Sequence, residues 1–260
     1  MNVLMVGDVI GKPGRRVLTA LLPELRSELA LDVVIANGEN AAGGFGLTER
    51  TAQEIFAAGV DVITSGNHIW DQKEIIPLLE REAPIVRPAN YPEGAPGRGL
   101  IAQKGVTVLN LQGRAFMIDI DDPFRAADAA LAGLADDAIV IVDMHCEATS
   151  EKQAMGRYLD GRVAAVLGTH THVPTADPRV LPGGTAYVTD VGMTGPVESI
   201  IGTEIEAVLQ RFLTAMPARL PVAEKSPTIQ LNSVLIEIDE ETQRAKGIRR
   251  VDREYTRDGQ

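Results

Sequence analysis

The feature that most constrains this chain is its steady alternation of short apolar runs with amphipathic stretches. NVLMV (2–6) reads as a buried strand, and RRVLTALLPELRSELA (15–30) as a helix opened by Pro13. DVVIAN (32–37) and LTERTAQEIFAAG (47–59) repeat the pair, with Gly59 as the helix stop. VDVITSG (60–66) is a strand, and DQKEIIPLLERE (71–82) a helix with Asp71 as its N-cap. VTVLNLQG pairs in the same way with PFRAADAALAGLA, and AIVIVDMH with EKQAMGRYLDG. RVAAVLGTH and TAYVTDVG read as strands, and TEIEAVLQRFLTAM as a helix. APIVRPANYPEGAPGRG (83–99), rich in Pro and Gly, reads as a long ordered loop or lid, because strand patterns resume directly after it. The tail, TIQLNSVLIEID with GIRRVDRE, alternates like a β-hairpin or two edge strands. Repeated strand–helix alternation predicts a layered α/β fold. A chain of 260 residues suffices for one sizeable core. One domain over residues 1–260 is expected, with the strands of about 227–254 part of it.

Composition narrows the function classes. Hydrophobic residues at 45% and charged residues at 23% fit a soluble globular protein. The one cysteine, Cys146, excludes an intrachain disulfide and fits a reducing compartment. The start, MNVLMVGDVIGKPG, has no basic region ahead of its apolar run, and no run approaches the roughly 20 residues of a membrane span. A cytoplasmic protein with no membrane partner is expected. The net charge of −11 argues against a long nucleic acid, whose phosphates want a basic surface. A small phosphate ester is not excluded, since bound metal can supply local positive charge.

Five polar clusters each follow a strand-like run: Asp8 after VLMVG, Glu39 and Asn40 after VVIANG, Asn67 and His68 after VITSG, His145 after IVIVDM, and His170 with His172 after VAAVLGT. They contain all four histidines of the chain. Residues just past strand ends are the favoured site positions of α/β sheets. Singly, each has an ordinary reading: Asp8 as a cap, Asn67 as a turn residue, His145 as a satisfied core histidine, Cys146 as a small buried hydrophobe. Their collective placement favours a site. A strand would point His170 and His172 to opposite faces, so the GTHTH spacing fits a turn in which each imidazole reaches a different ion.

Oxygen and nitrogen donors of this kind suit Fe, Mn, Zn, Co or Ni. There are enough for two ions bridged by one carboxylate. Two ions about 3.5–4 Å apart can hold a hydroxide and clamp a phosphate ester for in-line displacement. GDVIGKPG is no P-loop: its glycines are too close together and Pro13 follows Lys12 where Ser or Thr belongs. Lys12 reads as a surface or helix-start residue.

The ordered set GD (7–8), GEN (38–40), GNH (66–68), His145 and GTHTH (168–172) resembles the calcineurin-like metallophosphoesterases. GDVIG lacks that family's histidine two residues after the aspartate, and GEN carries Glu where its bridging Asp sits. These departures, with RPANYP, NLQGR and TDVGMTG, resemble the YmdB-like bacterial branch over roughly residues 2 to 254. The resemblance implies a four-layer αββα sandwich, two mixed sheets face to face with helices outside. It implies Asp8, Glu39 as bridge, Asn40 and His172 around a first metal, and Asn67, His145 and His170 around a second. It implies His68 as the catalytic histidine that protonates the leaving oxygen, cyclic nucleotides (2′,3′ and 3′,5′) as substrates, and iron as the metal ahead of Mn or Zn.

The reading is therefore a dinuclear-metal phosphodiesterase in which a metal-bridging hydroxide attacks phosphorus. Asn90 and Tyr91 would cover the nucleoside, Tyr91 stacking on the base, while Asp190 and Gly192 shape the rim. The alternatives are a nucleotide-binding regulator that uses the same ligands with little turnover, and a phosphomonoesterase. An amidohydrolase fits less well, because its HxH falls early in the chain and here it falls late. Homo-oligomerisation through the tail hairpin stays open.

Overall fold

Residues 1–256 are described by a computed structural model. In chain order the elements are β1 (Asn2–Val6), β2 (Asp8–Val9), α1 (Gly11–Glu28), β3 (Val33–Asn37), α2 (Glu49–Ala57), β4 (Val62–Thr64), α3 (Ile76–Leu79), β5 (Leu100–Gln103), β6 (Val106–Gln112) and α4 (Pro123–Ala132). They continue as β7 (Val140–His145), α5 (Thr149–Tyr158), β8 (Ala165–Thr169), β9 (Arg179–Val180), β10 (Ala186–Val188), β11 (Met193–Pro196), α6 (Ile205–Thr214), β12 (Thr228–Leu231), β13 (Ser233–Asp239), β14 (Arg244–Arg250) and β15 (Arg253–Thr256).

The strands form two large mixed sheets, in the orders β14-β13-β1-β3-β4 and β5-β6-β7-β8-β10-β9. A small third sheet, β15-β12-β11-β2, lies beside them. Successive side chains of a strand point to opposite faces, and the sequence exploits this throughout. In β1, Leu4 and Val6 pack with Val17, Leu18 and Leu22 of α1. Val3 and Met5 instead join Val108, Ile141 and Leu167 of the second sheet. In that sheet Leu109, Val142 and Val166 turn outward to a third cluster with Met155 of α5. Three cores between four layers give the expected αββα sandwich. Each fully buried Leu or Ile in them stabilises by about 1.5–3 kcal/mol.

Two local expectations are corrected. The helix expected over 71–82 is only a 3₁₀ turn at Lys73–Ile75 and the single turn of α3. Pro77 falls inside that stretch, and a proline there lacks the N–H and crowds the preceding turn. The tail does form a hairpin, β13 with β14, and β14 and β15 are edge strands, but β12 and β13 are not. TIQLNSVLIEID divides at Asn232 between β12 in the small sheet and β13 in the first large sheet. There β13 lies between β14 and β1, antiparallel to both. Its buried residues Val234, Leu235 and Ile236 read as an interior strand. The Pro/Gly-rich loop is ordered as expected: the buried Arg87 guanidinium donates to the carbonyls of Pro88, Ala95 and Pro96.

Candidate metal centre

The parallel strands β3, β4, β7 and β8 deliver their C-terminal ends to one place. Asp8 reaches it on β2, which runs parallel to β11 in the small sheet. At the centre is His145, the last residue of β7, with no solvent exposure. Its Nε2 lies 2.9 Å from Glu39 Oε1, 3.1 Å from Asn67 Oδ1 and 3.0 Å from His170 Nδ1. Gly66 permits this closeness, since a Cβ there would sit 2.1 Å from His145 Cδ2.

The other ring nitrogen fixes the tautomer. Thr169 donates its hydroxyl hydrogen to Asp143 Oδ1 at 2.6 Å, so toward His145 Nδ1, 2.9 Å away, it can only accept. Nδ1 therefore carries a proton, and Nε2 faces an imidazole nitrogen and two oxygens that have no proton to give, so it is the atom that a second proton or a cation occupies. Such an outer carboxylate is how ligating histidines are held.

His170 and His172 follow β8, with φ of 96° and 66°. Positive φ is uncommon outside glycine and marks backbone held by its surroundings. The turn carries His170 to His145 and Glu39, and brings His172 Nε2 within 3.9 Å of Asp8 Oδ1. The holding device is Asp190. Its Oδ2 accepts from the buried Lys152 ammonium at 2.6 Å and from the Thr171 N–H and hydroxyl, between the two histidines. Its Oδ1 accepts from Gly192 N–H at 2.8 Å. Asp190 thus lies beneath the turn and not on the rim as expected.

Charge is concentrated here. Burial pushes Asp8 up to about 6, with His172 and His145 working against it. Burial would raise Glu39 too, but His145 and the His68 N–H outweigh it and hold Glu39 at about 2. Burial would lower His145, yet Glu39, Asp8 and Asp143 push it up to about 9. Burial, with His145 beside it, pulls His170 down to about 3.

The donor set fits a metal ion. Glu39, His145 and His170 bring one ligand atom each within 4.8 Å of one another. Asp8 Oδ1 and Asn40 Oδ1 are buried oxygens with no hydrogen-bond partner, which a bound cation would satisfy. Asn40 is oriented for this by its Nδ2, which donates to Gly44 O at 2.9 Å.

A cleft of about 320 Å³ opens over the centre, lined by Glu39, Asn40, His68, His170 and His172 on one side. His68 is anchored twice. Its backbone N–H donates to Glu39 Oε2 at 2.9 Å, and its Nδ1 lies 2.8 Å from Asp71 Oδ2. Asp71 was expected only as a helix cap. Instead it meets His68 in the turn ahead of the 3₁₀ stretch, which no local signal announced. Asp143 was also missed, though a carboxylate inside the apolar run IVIVDM was a usable signal.

Asn90 and Tyr91 are not brought to this cleft. Asn90 is buried and spends its amide on Gln112 and Asp121, donating to both carbonyls and accepting from Gln112 N–H. It is a loop clamp. Tyr91 packs edge-on to Trp70 at 5.5 Å against the first core. Cys146 is buried, and burial with Glu151 pushes its thiol up to about 12. Lys12 is exposed in the first turn of α1.

The family model described as YmdB-like protein matches residues 4–251. The chain is 48% identical over 256 residues to a Bacillus subtilis (strain 168) protein named 2′,3′-cyclic-nucleotide 2′-phosphodiesterase, covering 96% of each. A solved structure from Thermus thermophilus, described as a hypothetical protein, is similar with a TM-score of 0.91 at 47% identity, over 98% of this chain and 99% of that one. Another, described as a novel phosphatase from Mycoplasma pneumoniae, gives 0.92 at 33% identity, over 98% and 94%. Fold, site and relatives together define a hydrolytic phosphoesterase of the metallophosphoesterase type. Within that class the chain belongs to the YmdB-like family, as its ordered motifs implied. Among the described residues no helix is long and apolar enough to cross a membrane.

Proposed function

We propose that this protein is a cytoplasmic phosphodiesterase that hydrolyses 2′,3′-cyclic nucleotides, with 3′,5′-cyclic nucleotides as further substrates, and that it holds two transition-metal ions, iron first among them. The observation that carries the reading is the convergence of lone pairs on His145 Nε2 beside the unpartnered oxygens of Asp8 and Asn40, under a cleft that also holds His68. The similarity to a protein named as a 2′,3′-cyclic-nucleotide phosphodiesterase supports the substrate.

Asp8, Asn40 and His172 would hold one ion, Asn67, His145 and His170 the other, and Glu39 both. When bound, the ions supply Lewis acidity that neutralises phosphate charge and makes water a nucleophile near neutral pH. The protein's own groups do the rest. The phosphate is oriented in the cleft above Glu39. His68, aimed by Asp71, gives a proton from its ring to the departing ribose oxygen. The carbonyl of Ile201 accepts from His172 Nδ1 at 2.9 Å, which leaves Nε2 as that ring's ligand atom.

The test is hydrolysis of 2′,3′-cyclic AMP by metal-replete and chelator-stripped protein handled anaerobically. Metal-dependent turnover is expected. His170→Ala should lose metal and activity together, by elemental analysis and product assay. His68→Ala should keep its metal and lose about 10²–10⁴-fold in rate. Protein with both ions that binds the nucleotide without repeated turnover would overturn the enzyme reading in favour of a regulator.

A further inference from the structure

The cleft has a second wall that the hydrolytic chemistry does not use. Besides the ligand side chains the cleft is lined by Ile10, Phe45, Ile201, Leu220 and Val222. Two of these are exposed there in spite of their size. Phe45 is 40% exposed and Ile201 53%. Neither is an incidental surface residue.

Phe45 stands at the tip of the GGFG loop, held by the site itself. Asn40 Nδ2 donates to Gly44 O, and Gln72 Nε2 donates to Phe45 O at 3.0 Å. The Phe45 ring stands edge-on to His68, with centroids 5.0 Å apart. Beside that contact Phe45 stays partly exposed to the cleft.

Ile201 is stranger. Ile200 and Thr203 exchange two backbone hydrogen bonds, at 2.9 and 3.0 Å, around Ile201 and Gly202. Both central residues have positive φ, 47° and 98°. That is the requirement of a type I′ turn, whose first central position favours Asn or Asp. A β-branched residue there is a genuine outlier, and such outliers cluster at ligand clamps. The carbonyl of Ile201 serves His172, but any residue would supply a carbonyl. The apolar side chain is what asparagine would not supply.

We infer that Phe45 and Ile201 form a nucleobase seat, with the base stacked on the Phe45 ring and edged by Ile201 while its phosphate lies over the metal ligands. This rests on the phosphodiesterase reading above and adds its specificity. The cleft's carboxylate, amide and imidazole side chains are the ligand residues, His68 and Glu147, which pairs with His170 at 3.1 Å, and its other polar side chains are the hydroxyls of Thr171 and Thr203. The seat grips π-faces without reading hydrogen-bonding edges, so it accepts all four bases and holds purines better than pyrimidines.

The decisive quantity is the ratio of kcat/KM for 2′,3′-cyclic AMP to that for glycerol 1,2-cyclic phosphate, a diester with no base. Phe45→Ala should lower this ratio about tenfold, the scale of one base–aromatic stack, and Phe45→Trp should restore it. Ile201→Asn should lower the ratio while raising the melting temperature, because asparagine suits the turn. Unchanged ratios in Phe45→Ala and Ile201→Asn would overturn the seat. If wild-type protein hydrolyses neither diester, the phosphodiesterase reading fails, and the seat is read by calorimetry on the metal-loaded protein. AMP should then bind more tightly than ribose 5-phosphate, with the preference lost in Phe45→Ala. Equal binding by the wild type would overturn it.

Discussion

The interface between the two large sheets has two ends built from the same strands, and they differ sharply. Along the inner face β3 presents Val33, Ile35, then Asn37; β8 presents Ala165, Leu167, then Thr169; β7 presents Ile141, then Asp143 and His145. β6 likewise runs from Val106 and Val108 to Asn110. Every one of these side chains is buried. The pleat does not change, and neither does the parallel register. Only the residue type changes, from apolar to polar toward the C-terminal end of each strand.

The consequence is a change in what burial does. At the apolar end it removes hydrocarbon from water and stabilises directly. At the polar end each group needs a partner or costs free energy. The network there is accordingly dense. Asp143 Oδ2 accepts from the Thr64 hydroxyl and from Asn37 Nδ2, Asp143 Oδ1 from Thr169, and Asn110 Oδ1 from Ser65 N–H. The network ends at His145, whose Nε2 meets Glu39, Asn67 and His170 of the ligand set. A rigid, dry sheet interface thus becomes the scaffold on which the ligands are aimed, as a preorganised site demands.

That contrast can be broken in graded steps. The largest effect is expected from Lys152→Met, which leaves Asp190 buried without its cation beneath the His170–His172 turn. Breaking a buried pair in this way costs about 3–5 kcal/mol, to be read from denaturant unfolding, and metal content should fall with it. At the apolar end, Leu167→Ala should cost about 2–5 kcal/mol while metal affinity stays as in the wild type. Metal loss in that variant would show that the two ends are coupled. Thr169→Val removes the hydroxyl between Asp143 and His145. It should weaken metal binding about 10–100-fold, by competition with a chelator, with a smaller loss of stability.

The smallest effect concerns Asp61, just before β4 at the far end of the strand from the site. Burial would raise its carboxyl, but Lys104, Arg26 and the Val34 N–H outweigh this and hold it below the ordinary value of 3.8. A depressed folded pKa gives stability that is present above the unfolded value and lost as pH falls through the folded one. Wild-type protein should therefore lose stability on acidification below about pH 4 more than Asp61→Asn does, in parallel unfolding curves. Parallel pH dependences would assign that loss to other carboxylates.

Much of this was legible in the chain. The alternation in NVLMV and DVVIAN set which side chains faced helix and which faced sheet. The order of Asp8, Glu39–Asn40, Asn67–His68, His145 and His170–His172 marked the site before any coordinate did, because strand ends in such folds gather at one edge. The misreadings have a common cause. Asp71 looked like a cap because it heads a helix-like pattern, and nothing local announces the turn in which it meets His68. Asn90 and Tyr91 looked like substrate contacts because a loop's contents do not announce which way they point. The interior place of β13 was not legible because it depends on β1, more than two hundred residues away.

What the sequence determined by itself is periodicity and residue type, both local quantities: layers, faces, and an inventory of donors. The tertiary structure alone decided the relations between distant residues: which donors lack a proton to share, which histidines bend into positive φ, and which wall of the cleft is apolar. Those relations are set by contacts such as Asn37 with Asp143 or His170 N–H with Asp8, across more than a hundred residues. No window of sequence holds both partners.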